Sequence, residues 1–220
     1  MFRTLHANPF LGVAGLFVFL TIANVDATAD DWPQWGGPKR DLIWRETGIV
    51  EQFADSGVLP RVWETPIGEG YGGPSVADRR VYVMDRLREE QRERVLCLEA
   101  ATGKVIWRHA YEARYSISYP AGPRCTPVVD NGRVYVVGAV GHMFCLNADD
   151  GTVLWQRNFV DDFGTQLPTW GMVASPLVDG DQLITLVGGS KNSLVVSFDK
   201  ATGKERWRAL QDTAVGYAPP

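Results

Sequence analysis

The sequence predicts an all-β chain, a partial β-propeller of four-stranded antiparallel blades with about three complete blades and the start of a fourth. Three observations carry that expectation. One Trp-ended segment occurs three times, as Cys97-Leu98-Glu99-Ala100-Ala101-Thr102-Gly103-Lys104-Val105-Ile106-Trp107, as Cys145 through Gly151 to Trp155, and as Ser197 through Gly203 to Trp207. The tryptophans stand 48 and 52 residues apart, and periods of about 50 residues with several strands per unit mark a propeller or a similar array. Turn residues recur at fixed places before the second strand, with Asp130-Asn131-Gly132 and Asp179-Gly180-Asp181 supplying the positive φ that tight hairpins need. The composition, 45% hydrophobic with eight tryptophans, suits a strand-rich, aromatic-packed core.

Taken in order, the chain opens with a leader. Arg3 precedes an apolar run from Phe10 to Ala23, and Ala27-Thr28-Ala29 is a small-x-small cleavage site. Residues 1–29 therefore read as a signal peptide cleaved after Ala29, with the mature chain periplasmic or secreted. The apolar run is shorter than the roughly 20 residues of a spanning helix, so no membrane span is expected after cleavage. Residues 30–69 form an N-terminal segment in which Leu59-Pro60-Arg61-Val62-Trp63 reads as a further strand. Three repeats follow at 70–123, 124–170 and 171–216, and the next begins at Tyr217.

Each repeat has the same parts. A first strand follows a Ser/Thr-Pro or Pro-Ser step (Ser75-Val76-Ala77, Val128-Val129, Leu177-Val178). The second strand is Val81–Met84, Val134–Val137 or Leu183–Val187, and the third carries Cys97, Cys145 or Ser197. The fourth is expected to end in Trp. A blade cannot bury both of its faces alone, so it stacks on its neighbours. Gly103, Trp107, Gly151, Trp155, Gly203 and Trp207 are therefore expected to be structural fasteners, the wide indole spanning the seam and the glycine allowing close approach. The first repeat carries an insertion, Arg86–Arg94, between its second and third strands. Its mixed charges read as a solvated hairpin or helical turn.

The net charge of −4 gives no electrostatic case for nucleic acid or an anionic membrane surface. Three cysteines are an odd number for an exported chain. Equivalent third-strand positions on adjacent blades lie about 12 Å apart, beyond the roughly 7 Å between Cα atoms that a disulfide spans. Cys97 and Cys145 are expected to be buried free thiols. His109 and His142 have no spacing that suggests a metal pair, so no metal ligands are assigned.

Chemistry, if any, gathers in the links between repeats. Gly70-Tyr71-Gly72-Gly73-Pro74, Gly122-Pro123-Arg124-Cys125, Pro168-Thr169-Trp170-Gly171-Met172 and Gly216-Tyr217 run from the rim of one blade to the axis. Tyr71, Arg124, Trp170 and Tyr217 should meet near the axial mouth, where aromatics with one Arg make a floor for a planar or carboxylated ligand. The competing reading has the aromatics filling the seam between blades.

With these residues in view, the chain resembles the pyrroloquinoline-quinone-like β-propeller repeat family, whose signature runs approximately Ala-x-Asp-x-x-Thr-Gly-x-x-x-Trp. Thr102-Gly103 with Trp107 and Thr202-Gly203 with Trp207 match it, while Asp150 replaces Thr before Gly151. The opening Asp31-Trp32-Pro33-Gln34-Trp35-Gly36-Gly37-Pro38 is similar to that of exported propellers of the planctomycete type, themselves similar to the outer-membrane assembly scaffold of the same fold. The resemblance implies a ring of seven or eight blades, and so an N-terminal fragment closed by missing blades or by a second copy. It also implies two kinds of function. One is a non-catalytic binding or scaffold module for a protein or cell-surface polymer, which is the expectation adopted. The alternative is a quinone-dependent oxidoreductase acting on an alcohol or sugar, with part of its site in other blades. Pyrroloquinoline quinone enters as a cofactor by resemblance only. The adjacent cysteines and the haem motif of such enzymes do not occur in these 220 residues.

Overall fold

The computed structural model describes residues 30–48, 52, 57, 59–118, 121–212 and 215–220, and the leader expected at 1–29 lies outside them. Three four-stranded antiparallel sheets follow one another along the chain, each with its strands in sequence order. The first comprises β1 (Ser75–Ala77), β2 (Arg80–Leu87), β3 (Arg92–Glu99) and β4 (Val105–Glu112). The second comprises β5 (Val128–Asp130), β6 (Arg133–Val137), β7 (His142–Asn147) and β8 (Val153–Asn158). A short helix α1 (Phe159–Phe163) then leads to β9 (Leu177–Asp179), β10 (Gln182–Leu186), β11 (Val195–Asp199) and β12 (Glu205–Ala209). β1 touches β5 and β5 touches β9, so the short first strands stand side by side on the inside. This is the partial propeller that the repeat predicts.

The same local chemistry shapes each blade. Asn131 and Gly132 take φ of 46° and 72° in the turn before β6, as a tight hairpin demands. Between the third and fourth strands, Gly103, Gly151 and Gly203 sit at φ near +70° (68°, 74° and 68°) and donate their N–H back to Glu99, Asn147 and Asp199. The side chain four residues before the glycine also serves the turn. Asn147 accepts from the Asp149 N–H, and Asp199 accepts from the N–H groups of Ala201 and Thr202. Arg206 and then Thr202 hold the Asp199 carboxyl down at about 2.

The fourth strands do not end at their tryptophans. They run on to Glu112, Asn158 and Ala209, paired with the third strands. In each blade the register slips at the same point, after Cys97, Cys145 or Ser197, directly opposite the Trp. A bulge raises the local twist and re-aims a side chain, and in the first two blades the indole points toward the neighbouring blade. Trp107 Nε1 donates to the Ala148 carbonyl at 2.9 Å, and Trp155 Nε1 donates to that of Lys200 at 3.0 Å. Each ring lies flat against the next turn: a Cβ added to Gly151 would stand 2.6 Å from Trp107, and one on Gly203 would stand 2.6 Å from Trp155. Tyr82 and Tyr135 tilt against these indoles, and the seams so formed hold the main buried cluster. Cys97, Cys125 and Cys145 are buried and unbridged, and burial pushes their thiols up to about 11, 11 and 12.

The N-terminal segment holds to the blades in two places. The strand expected at Leu59–Trp63 does not form, and this stretch belongs to no sheet. It is held through side chains instead: Trp63 Nε1 donates to the Ala100 carbonyl at 2.8 Å and the Thr65 hydroxyl to that of Gly103 at 2.6 Å. Trp63 thus meets Gly103 as Trp107 meets Gly151. Ahead of it, Trp32–Arg40 straps the inner strands together. Trp32 pairs with Val76, the Pro33 carbonyl accepts from Val129, and the Arg40 guanidinium donates to the carbonyls of Pro176 and Pro220.

The insertion in the first blade is a hairpin, but only its tip is solvated. It lengthens β2 and β3 to eight residues each, and Arg88–Glu90 are exposed. Arg86 (3% exposed) and Glu93 (0% exposed), in contrast, face the interior. Distance from the tip explains the split: Asp85 and Arg86 point to opposite faces of the strand and are both buried at its base, where the links to either side cover them.

Candidate functional site

Four successive links deliver Tyr71, Arg124, Trp170 and Tyr217 to one cleft of about 460 Å³, completed by Val173. That volume lies within the roughly 300–1,000 Å³ of small-ligand clefts. The first three links are anchored by backbone. The N–H groups of Tyr71 and Gly72 both donate to the Pro123 carbonyl, at 2.8 and 3.1 Å. Gly72 passes so near Cys125 that an added Cβ would stand 2.4 Å from its carbonyl oxygen. On the other side, Gly171 takes φ 72° and Met172 N–H donates to the Ala139 carbonyl at 2.8 Å, which leaves Trp170 turned outward.

Two pairs form the walls. The Arg124 guanidinium lies 5.0 Å from the centroid of the Tyr71 ring. It also donates to the carbonyls of Gly122 and Ser118. Burial pulls its pKa down from the ordinary arginine value, yet an arginine remains charged at physiological pH. Opposite, the rings of Trp170 and Tyr217 stand 5.0 Å apart and tilted by 36°. Tyr71 and Trp170 are each about half exposed, at 54% and 46%. The cleft can therefore offer flat apolar faces to a ring or side chain and one cation to a carboxylate.

Sequence reasoning missed what lies behind this cleft. Glu93 accepts hydrogen bonds from the hydroxyls of Tyr111 and Tyr115, at 2.6 and 2.7 Å, and from the Ala139 N–H at 3.2 Å. Burial first, and the Glu93 carboxylate second, raise both phenols well above the ordinary tyrosine value, so they stay protonated donors. Arg86 stacks on Tyr115 with its guanidinium carbon 3.7 Å from the ring centroid. Only the charge-rich insertion hinted at this cluster, and a polar residue count does not say which side chains turn inward.

The other sequence candidates lie apart from the cleft. Gly103, Trp107, Gly151, Trp155 and Gly203 are in the seams, and Trp207 is on the outer side of the third blade. His109 packs on Phe144 and His142 tilts against Tyr111, with burial lowering the pKa of both. Among the described residues, no group of three or more His, Cys, Asp or Glu side chains is arranged to hold a metal ion. No helix among them is long and apolar enough to cross a membrane.

Comparison with known proteins agrees with this architecture. The family described as outer membrane protein assembly factor BamB matches residues 41–214. BamB of Escherichia coli (strain K12) is 32% identical over 102 residues, covering 43% of this chain and 25% of BamB. The quinohemoprotein alcohol dehydrogenase ADH IIB of Pseudomonas putida is 27% identical over 139 residues, covering 58% of this chain and 19% of the enzyme. This chain thus spans a quarter or less of the length of those two relatives. Among solved structures, the quinohemoprotein alcohol dehydrogenase from Comamonas testosteroni superposes with a TM-score of 0.56 at 22% identity, over 82% of this chain and 28% of that one. Three consecutive four-stranded blades and a family match across most of the sequence lead to one assignment: the chain belongs to the BamB-type family of pyrroloquinoline-quinone-like β-propeller repeat proteins.

Proposed function

We propose that this chain is part of an exported propeller that works as a non-catalytic binding or scaffold module, and that the cleft of Tyr71, Arg124, Trp170 and Tyr217 is where it holds its partner. The observation that carries the reading is the convergence of those four side chains, each from a different link, into one aromatic cleft with a single cation. A segment of a protein or cell-surface polymer bearing a carboxylate next to a flat apolar group suits that lining. The leader at residues 1–29 supports a periplasmic or secreted location, and the Trp–Gly contacts support a fastening role for the seams. Blades beyond these three, or a second copy, would complete the ring.

A second reading, quinone-dependent oxidation of an alcohol or sugar, is favoured by the same flat floor beside a guanidinium, which fits a planar, carboxylated quinone. The two readings separate in one experiment. The full chain is titrated with N-acetyl-aspartyl-phenylalanine and with pyrroloquinoline quinone, and each titration is repeated on Arg124→Ala. The binding-module reading expects the peptide to bind and the variant to lose about tenfold in affinity, the scale of one charged hydrogen bond. Equal affinity in wild type and variant, or no binding of either probe, overturns the cleft as the binding face. Binding of the quinone alone favours the second reading.

A further inference from the structure

The hairpin of the first blade differs from its counterparts. The links between second and third strands in the other blades are Gly138–Gly141 and Val187–Leu194, and neither contributes a carboxylate. In the first blade the extra pairs Asp85–Arg94, Arg86–Glu93 and Leu87–Arg92 carry the sheet further. This extension reaches both links that bear the Tyr71 and Arg124 wall.

Its hold on the first link runs through backbone and Asp85. Glu69 and Arg86 exchange N–H to carbonyl bonds at 3.2 and 2.7 Å. The Asp85 carboxylate, fully buried and paired with Arg94, accepts the Gly68 N–H at 2.5 Å. Tyr71 follows two residues after Glu69. The hold on the second link runs through side chains. Arg86 stacks on Tyr115 and donates to its carbonyl at 3.0 Å, while Glu93 takes the Tyr115 hydroxyl. Gly122 then packs so tightly over this group that an added Cβ would stand 3.0 Å from Arg86 Cβ and 2.3 Å from the Glu69 carbonyl oxygen. Arg124 follows two residues after Gly122. Glu93 also takes the Ala139 N–H, at 3.2 Å, and so ties in the second blade. A buried charge is costly unless it is paired, and here Glu93 is met by Tyr111, Tyr115 and Ala139 while Arg86 is met by the Tyr115 ring and carbonyl.

We propose that Arg86 and Glu93 are positioning residues for the cleft, setting the placement of the Arg124 guanidinium against the Tyr71 ring from beneath both links. Neither side chain lines the cleft, so each acts through Tyr115 and the link backbones. The consequence for ligand affinity rests on the binding reading above; the consequence for Arg124 geometry does not.

The test uses the full chain and two variants, Tyr115→Phe, which deletes one hydroxyl from the cluster, and Arg86→Lys, which removes the planar stack while keeping the charge. The first readout is the Arg124 Nε–H resonance in a ¹⁵N spectrum, assigned with Arg124→Lys. The Tyr71 ring displaces it, and Tyr71→Leu defines the undisplaced position. The second readout is the affinity for N-acetyl-aspartyl-phenylalanine. Positioning predicts that Tyr115→Phe and Arg86→Lys both move the resonance toward the Tyr71→Leu position and weaken the peptide by about tenfold. Lys204→Ala, on the exposed turn of the third blade, changes neither. An unmoved resonance with affinity within about twofold of wild type in both variants overturns the proposal. If Arg124→Ala binds the peptide as wild type does, the binding reading fails by itself, and the resonance alone decides the positioning role.

Discussion

Trp107 and Trp207 close the same repeat in sequence and stand in opposite surroundings. Trp107 is 8% exposed, with its ring on Gly151 and its N–H on the carbonyl of the next blade. Trp155 repeats that arrangement at 9% exposed. Trp207 is 39% exposed and turns its N–H to Gln182 of its own blade, at 2.6 Å. The difference teaches that the repeated tryptophan has no fixed worth. Trp107 and Trp155 each meet the glycine turn of the next blade, and among the described residues no fourth sheet supplies one to Trp207.

Substitution at the tryptophans should break the comparison most visibly. Trp107→Ala empties a buried seam and is expected to cost about 3–5 kcal/mol, read as a fall in unfolding midpoint. Trp207→Ala removes a half-exposed ring with one local hydrogen bond and should cost less than about 1 kcal/mol. Equal losses would show that the seam is not where the indole contributes.

The glycines sharpen the same contrast. Gly151→Ala meets both a left-handed backbone and the Trp107 ring, so about 2–4 kcal/mol is expected. Gly132→Ala has the same sign of φ, at 72°, with nothing within 4 Å of an added Cβ, and should cost only about 1 kcal/mol. The gap between the two measures the seam contact apart from the backbone strain.

Smaller effects come from titration. Burial is the first cause that lowers the pKa of His109 and His142. Both are therefore neutral when folded near pH 7, and their stabilisation is full above the unfolded value of about 6.5. It is lost as pH falls through the lower folded value, because the unfolded chain binds the proton first. Melting between pH 7.5 and pH 5 should show that decline, and His142→Gln should flatten it. A midpoint that rises on acidification would contradict the assignment. Finally, the thiols of Cys97, Cys125 and Cys145, raised by burial, should resist alkylation at pH 8 and react together only on unfolding. Fast labelling of one thiol in the native chain would mark a seam that opens locally.

How far the site was legible follows from periodicity. Tyr71 and Arg124 each stand four residues before a first strand, so symmetry brings that pair together. The equivalent place in the third link is Val173, and Trp170 lies three residues further back, yet the structure gathers them with Tyr217 around one cleft. The strands were legible for the same reason. The run past Trp107 to Glu112 was not, because it depends on a bulge at Cys97 and Leu98 that re-registers the pair without changing the residue pattern. Nor was the strap from Trp32 to Arg40, whose bonds to Val76, Val129 and Pro176 are all long-range. Trp63 was read as part of a strand, yet it holds through its indole, a contact that period-2 patterning does not register.

By itself, then, the sequence determined the blade. Gly at a fixed distance before Trp, turn residues before the second strand and alternating apolar runs suffice, because all of them act within one repeat. What the tertiary structure alone decided is everything that depends on which repeat comes next. It set which tryptophan is covered, which half of the Arg86–Arg94 hairpin is buried, and how Glu93 gathers Tyr111, Tyr115 and Ala139. Local propensity is written in neighbouring residues, whereas burial of a charge or an indole is settled by a partner that lies some 20 to 50 residues away along the chain.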